Sequence, residues 1–179
     1  MAARVGRPAP MTGLVGRVPG ARFADGSSCD VDLWLDPLPV PPDRVFAAMV
    51  VLRDGDGRCA AAWSPRRQEW GIPGGWREDG ESVPECAVRE VWEETGVRLR
   101  AADLVPVGHE DFHPIGVRGR WPTEGGSMQL YAARLEGAGP PLVAGEPDAV
   151  DPQWLEPEEL EARSVGQFWW PMVAGVLTG

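Results

Sequence analysis

The chain has 179 residues, 43% of them apolar, which is enough for one compact domain with an ordinary core and too little for two full ones. Its 27 acids against 17 bases leave a net charge of −10, so a sequence-independent grip on nucleic-acid backbone is excluded as the default role. No apolar run approaches the roughly 18 residues of a membrane span. Three cysteines, Cys29, Cys59 and Cys86, are odd in number and widely spaced, which fits free thiols in a reducing, cytoplasmic compartment. All 17 bases are arginine, and lysine and asparagine are absent, a bias that points to GC-rich coding and a bacterial source.

Residues 1 to about 20 read as a flexible leader, too interrupted by Arg, Pro and Gly for a secretory signal. "ARFADGSSCDVDLWLD" follows as two short extended runs around an Asp-Gly-Ser-Ser turn, so residues 1–43 are expected to hold the leader and an extra β-hairpin. After the stiff "PLPVPP" break, "RVFAAMVVLRDGDGRCAAAWSP" predicts a hairpin across residues 44–63, turning at Asp-Gly-Asp-Gly. "EWGIPGG" is a short strand leading into an acidic segment, and "LVPVGHEDF" and "SMQLYAARLEG" are further strands. "DPQWLEPEELEARS" ends in a short helix from Pro157 to Arg163, closing a main domain of residues 44–163. The apolar tail 164–179, with Trp169 and Trp170, is expected to pack on the core. Mixed strands and helices predict an α/β or α+β fold with the main helix on a sheet.

The acidic segment, "GGWREDGESVPECAVREVWEETGV", carries seven carboxylates between Glu78 and Glu94. Ser82 with Glu85 makes a capping box, Pro84 falls in the first turn, and Gly96 is a natural C-terminal stop, so a helix is predicted from about Val83 to Thr95. At helical spacing Pro84, Val88, Val91 and Thr95 form a core face, and Glu90, Glu93 and Glu94 form a different, acidic one. The like-charge pairs cost a few tenths of a kcal/mol each, and Glu93 and Glu94 also meet the negative end of the helix dipole. Arg89 offsets part of this by pairing with Glu93, but one guanidinium cannot neutralise three carboxylates. Converging carboxylate oxygens suit a hard cation such as Mg²⁺ or Mn²⁺, which takes its remaining ligands from water and substrate phosphates. The bland alternative is a merely solvated acidic face.

From Gly75 the sequence reads Gly, five residues, Glu81, seven residues, Arg89, Glu90, Val91, one residue, Glu93, Glu94, one residue, Gly96, Val97. This pattern resembles, at every fixed position, the signature box of the Nudix hydrolases, and "WGIPGG" and "WLEPEEL" on either side also look like that family. The resemblance implies a Nudix fold, a mixed β-sheet sandwiched between helices. It implies a Mg²⁺- or Mn²⁺-dependent pyrophosphohydrolase that cleaves a nucleoside diphosphate linked to another group, X, by attack of water on phosphorus. It implies Glu90, Glu93, Glu94 and the Gly74 backbone carbonyl as metal ligands, with Glu81 and Arg89 as a supporting ion pair. The box itself does not name X, which could be that of an NTP, an NDP-sugar, ADP-ribose or a similar compound. Selectivity is expected in loops such as 109–127. Relatives often carry a glutamate a few residues before the later tryptophan, where Ala149 stands here. That departure leaves Glu146, Asp148, or Glu93 or Glu94 alone as candidate bases. The implied partner is a small nucleotide diphosphate; no membrane or nucleic acid is expected. Dimers are common in the family, which makes the aromatic tail a candidate homodimer contact.

Outside the box, Arg66, Arg67, Arg118 and Arg120 are candidates for holding phosphates in a bidentate fork. Trp70, Trp121 and Phe112 are candidates for stacking on a base, with core packing as their alternative. Cys86 reads as a packing residue without redox role. Two competing functions need an answer. "HEDFH", residues 109–113, formally matches the His-Glu-x-x-His zinc-peptidase motif, but Gly108 and Pro114 flank it and a strand precedes it, so the helix which that chemistry needs is not predicted. His109, Glu110 and His113 then read as residues of an ordinary or a substrate loop. A catalytically silent nucleotide-binding or regulatory module would be expected to lose box residues, and none is lost.

Overall fold

A computed structural model of the chain describes residues 12–116, 121, 122 and 124–178. Arg118, Arg120 and residues 1–11 of the leader lie outside the described residues.

The chain opens with β1 (Gly13–Arg22) and β2 (Ser28–Leu35), paired antiparallel from Gly13 opposite Leu35 to Arg22 opposite Ser28. The leader reading therefore fails from Gly13 on. Two valines of β1, Val15 and Val18, pack on the core, while β2 buries Cys29, Val31, Leu33 and Leu35 in strict alternation. Next come β3 (Val45–Arg53) and β4 (Cys59–Ser64), which the sequence presents as a hairpin. They meet only at Arg53 and Cys59. Both are almost continuously buried, as strands covered on both faces are, and each takes other neighbours. On one edge β3 runs parallel to β8 (Gly126–Arg134); on the other it pairs with β6 (Gly74–Trp76). The partners of β4 are β5 (Glu69–Gly71) and β9 (Val150–Leu155). β7 (Val105–Ile115) lies antiparallel between β2 and β8, completing a mixed nine-stranded sheet.

Helices cover both faces. α1 (Val83–Thr95) packs Val83, Ala87 and Val91 on Ala48, Val50, Leu52 and Tyr131. On the opposite face lie α2 (Pro157–Arg163) and α3 (Trp170–Thr178), whose Leu160, Met172 and Val173 are fully buried against Leu33, Val51 and Leu130. Adjacent residues of one strand thus serve two cores, Val50 and Leu52 one and Val51 the other. Among the described residues no helix is long and apolar enough to cross a membrane. All three cysteines are free and buried.

Candidate active site

Local signals fix α1. Ser82 accepts from the Glu85 backbone N–H while the Glu85 carboxylate accepts from the Ser82 N–H, and Gly96 closes the helix at φ 74°, a left-handed conformation open to glycine at little cost. The buried stripe is Val83, Cys86, Ala87, Glu90, Val91 and Thr95, whereas Pro84 and Val88 are only half-buried. The expected separation into a core face and an acidic face is therefore corrected at Glu90, which is 8% exposed. Its cover is the backbone of β6: a Cβ on Gly75 would collide with the Glu90 carboxylate. Cys86 packs beside it, with Sγ 3.5 Å from the Gly75 carbonyl and its thiol pushed up to about 12 by burial.

Arg89 organises the acids. Its guanidinium donates to Glu81 at 2.8 and 3.0 Å, to Glu90 at 2.8 Å, to Glu93 at 2.8 Å and to the Trp76 carbonyl at 2.9 Å. One cation thus contacts three carboxylates, more than its i,i+4 pairing with Glu93 suggested. The Arg89 bonds hold Glu81 below the usual carboxylate range, while burial raises Glu90 in spite of its bond to Arg89. Among the described residues no guanidinium bonds Glu94. Burial first, and then the charge of Glu90, push it up to about 8, while its Oε2 accepts the Gly74 N–H at 3.2 Å.

Gly74 stands opposite Met49 between two hydrogen-bonded positions of the ladder, Val50 N–H to Pro73 O and Arg77 N–H to Phe46 O. Antiparallel alternation therefore turns its own N–H and C=O away from β3, to the side where Glu94 lies. The donors offered are all hard oxygens, the kind a small divalent cation takes. Among the described residues no three His, Cys, Asp or Glu side chains are gathered closely enough to hold a metal as they stand. Arg89 holds one oxygen of Glu90 and one of Glu93 on itself.

Two concavities flank this cluster. A groove of about 680 Å³ is bordered by Glu78, Asp79, Glu81 and Glu85 against Arg89 and Arg98, a balance that repels phosphate. The other, about 410 Å³, reaches from Gly74 across the α2/α3 face and is lined by Arg22, Arg66 and Arg67 together with Asp25 and Glu69. Its walls include Phe23, Trp76, Phe112, Trp121, Phe168 and Trp169, and the buried Glu110 also lines it. Arginines and apolar walls share the second space.

Most of the remaining candidates can be placed. Arg66 pairs with Asp148 at 3.5 Å and Arg67 with Glu69 at 2.9 Å, both half-exposed at the cavity. Trp121 and Phe112 are cavity residues, stacked at 4.8 Å between centroids. Trp70 is not: it packs on Trp63 and carries the Arg163 guanidinium 4.3 Å above its ring, which corrects its assignment as a substrate stacker. The loop before β9 is pinned to the end of α1 by Val143 N–H to Thr95 O at 3.0 Å and Gly145 N–H to Glu93 O at 2.7 Å. Exposed Glu146 is thereby close enough for its charge to be felt by Glu90 and Glu94, while Ala149 is buried. "HEDFH" is strand, not loop, because β7 spans it. His109 and His113 are then about 13 Å apart along the strand, at ~3.3 Å per residue, with Glu110 on the other face, so one zinc cannot join them. Sequence reasoning missed Phe23, Trp76, Phe168 and Trp169 as cavity residues. Phe23 and Phe168 come from outside the box region and meet at 6.1 Å only after folding.

Comparison with known proteins agrees with this architecture. The NUDIX domain family matches residues 43–174. A MutT-like protein of Streptomyces ambofaciens is 32% identical over 123 residues, covering 69% of this chain and 70% of that protein. An RNA pyrophosphohydrolase of Rhizobium meliloti is 33% identical over 111 residues, covering 55% of this chain and 65% of that one. Among solved structures, a Bacillus subtilis pyrophosphohydrolase superposes with a TM-score of 0.60 at 21% identity, covering 90% of this chain and 95% of that chain. The E. coli dihydroneopterin triphosphate pyrophosphohydrolase superposes with a TM-score of 0.57 at 19% identity, covering 75% and 99%. The mixed sheet between helices, the complete acidic box on α1 and these matches together make the chain a member of the Nudix family, a hydrolase acting on acid anhydrides.

Proposed function

We propose that this protein is a Mg²⁺- or Mn²⁺-dependent pyrophosphohydrolase that cleaves the diphosphate linkage of a nucleoside diphosphate-X compound in the cytoplasm. The observation that carries the reading is the meeting of the acid cluster with the arginine-lined cavity at Gly74. Glu90, Glu93, Glu94 and the Gly74 carbonyl would hold the cation, which supplies polarisation of phosphoryl oxygens and a more acidic water. Arg89 and Glu81 fix where the box oxygens stand. Arg66 and Arg67 are available to bind phosphate by exchanging their present carboxylate partners for it. Glu146 is the base in this reading, because it is solvent-exposed, lies on a loop tied to α1 and shares the field of Glu90 and Glu94. Three buried free thiols support the cytoplasmic placement. Any homodimer must use surfaces other than Met172 and Val173, which the protein's own core consumes.

Turnover of a panel of NTPs, NDP-sugars, ADP-ribose and dinucleoside polyphosphates is expected with Mg²⁺ or Mn²⁺ and is lost in EDTA. In the same assay Glu146→Gln should lower kcat about 10²–10⁴-fold. Turnover that persists in chelator would overturn the metal reading, and a Glu146→Gln variant with undiminished kcat would remove Glu146 as base.

A further inference from the structure

Glu110 is used by none of the chemistry above. It sits in the middle of β7, 2% exposed, opposite Leu33 on one neighbouring strand and Met128 on the other. Phe112 follows it on the same face. Among the described residues no cation is bonded to it and its Oε1 is buried without a hydrogen-bond partner, and burial pushes the carboxyl up to about 8. Leaving such a group unmatched in an apolar wall costs free energy that a leucine there would not. The strand nevertheless delivers it to the cavity that begins at Gly74.

The walls beside it are aromatic. Trp121 lies 4.8 Å from Phe112 at 16°, 4.6 Å from Phe23 and 5.6 Å from Trp76, and its indole N–H is already committed to Ser27 Oγ at 2.6 Å. Phe112 and Trp121 stack on each other, so the wall they make with Phe23 and Trp76 is a packed aromatic surface lining the cavity. The same cavity is lined by Arg22, Arg66 and Arg67, which suit phosphate, and by Glu110, which suits a ring whose edge donates hydrogen.

We propose that Glu110 is the base-reading residue of this cavity, accepting the N–H donors on the edge of a nucleobase stacked along the aromatic wall, and that guanine is the base it matches. The inference rests on the nucleotide reading above. An ionised carboxyl has two acceptor oxygens and no donor, and guanine sets N1–H and an N2–H side by side to meet them. Adenine offers one donor beside an acceptor and leaves one oxygen of the ionised carboxyl opposed by a lone pair, so the comparison is made above pH 8, where Glu110 is ionised. Hypoxanthine lacks the 2-amino group and also leaves one oxygen unmatched. Below pH 8 the Glu110 proton passes to solvent as the donors arrive, so no charge is stranded without hydrogen bonds.

The test is equilibrium binding of GMP, IMP, AMP, ribose 5-phosphate and choline phosphate to the full chain in chelator, read by quenching of tryptophan fluorescence, with no turnover required. GMP is expected to bind at least about tenfold more tightly than IMP or AMP, since an unmet buried acceptor is what discriminates. The amide of Glu110→Gln accepts N1–H and donates to O6 of both guanine and hypoxanthine, so the variant should bring GMP and IMP within about threefold of each other. Its affinity for ribose 5-phosphate should not change. Equal GMP and IMP affinity in the unmodified chain, tighter AMP, displacement by choline phosphate, a GMP/IMP ratio untouched by Glu110→Gln, or no saturable nucleotide binding would each overturn the proposal. Because binding is read apart from hydrolysis, a chain that binds GMP selectively yet turns over nothing would refute the pyrophosphohydrolase reading alone.

Discussion

Replacing Glu94 by glutamine is expected to lower kcat by about three orders of magnitude, ~4 kcal/mol of barrier, while raising thermal stability. The activity loss follows from the proposed role of Glu94 as a charged oxygen donor to the cation; an amide oxygen is a weaker one. The stability gain follows from its surroundings. Burial and the charge of Glu90 push the carboxyl up to about 8, above its value of roughly 4.3 in an unfolded chain. Between those values the folded state binds more protons than the unfolded state, so the stability of the unmodified protein falls as pH rises from about 4.5 to about 8. Glutamine has no such slope, and its carbonyl still accepts the Gly74 N–H. The gain should be on the order of 1 kcal/mol near pH 8, or ~2–4 °C in Tm, and should vanish near pH 4.5. Melting curves across that range in chelator, beside kcat in Mg²⁺, decide the matter. A variant retaining more than a tenth of the activity would remove Glu94 from the machinery.

What was legible in the sequence was local. The α1 helix is written in Ser82, Glu85 and Gly96, each acting within a few residues, and its observed ends are those the caps dictate. Spacing along the helix also brought Arg89 to Glu93. What covers the helix is not local. Gly75 from β6 lies on Glu90 and turns an apparently solvent-facing acid into a buried one, while Val88 is left half-exposed. The same limit explains β3 and β4: apolar runs around an Asp-Gly turn look like a hairpin, yet their partners come from residues 74–76, 126–134 and 150–155. Glu110 was visible as part of a misleading motif and as a residue of an ordinary or a substrate loop. Its meaning depends on strand alternation, which places it and Phe112 on the cavity side and both histidines on the other.

Arg89→Leu is the second large effect, and it separates charge from geometry. The guanidinium is 19% exposed, and its loss would strand Glu81, Glu90 and Glu93, whose side chains are 12%, 10% and 20% exposed. Breaking a buried pair costs ~3–5 kcal/mol; partial solvation of this cluster brings the expected loss to about 2–4 kcal/mol, or roughly 5–15 °C in Tm. The leucine cannot replace the bond to the Trp76 carbonyl, so the segment between β6 and α1 loosens as well. Activity should fall at least ~100-fold, because box oxygens displaced by even about 1 Å no longer present the required geometry. The release of Glu90 and Glu93 has an opposite consequence for cation binding. Both carboxylates lose their competitor, so millimolar Mg²⁺ or Mn²⁺ should raise Tm more in Arg89→Leu than in the unmodified protein, through preferential binding to the folded state. Stability restored by the cation with kcat still depressed would identify Arg89 as the residue that positions the acids. An equal or smaller metal-induced shift in the variant would instead mean that the guanidinium never competes for those oxygens, and the assignment of Glu90 and Glu93 to the cation would fall with it.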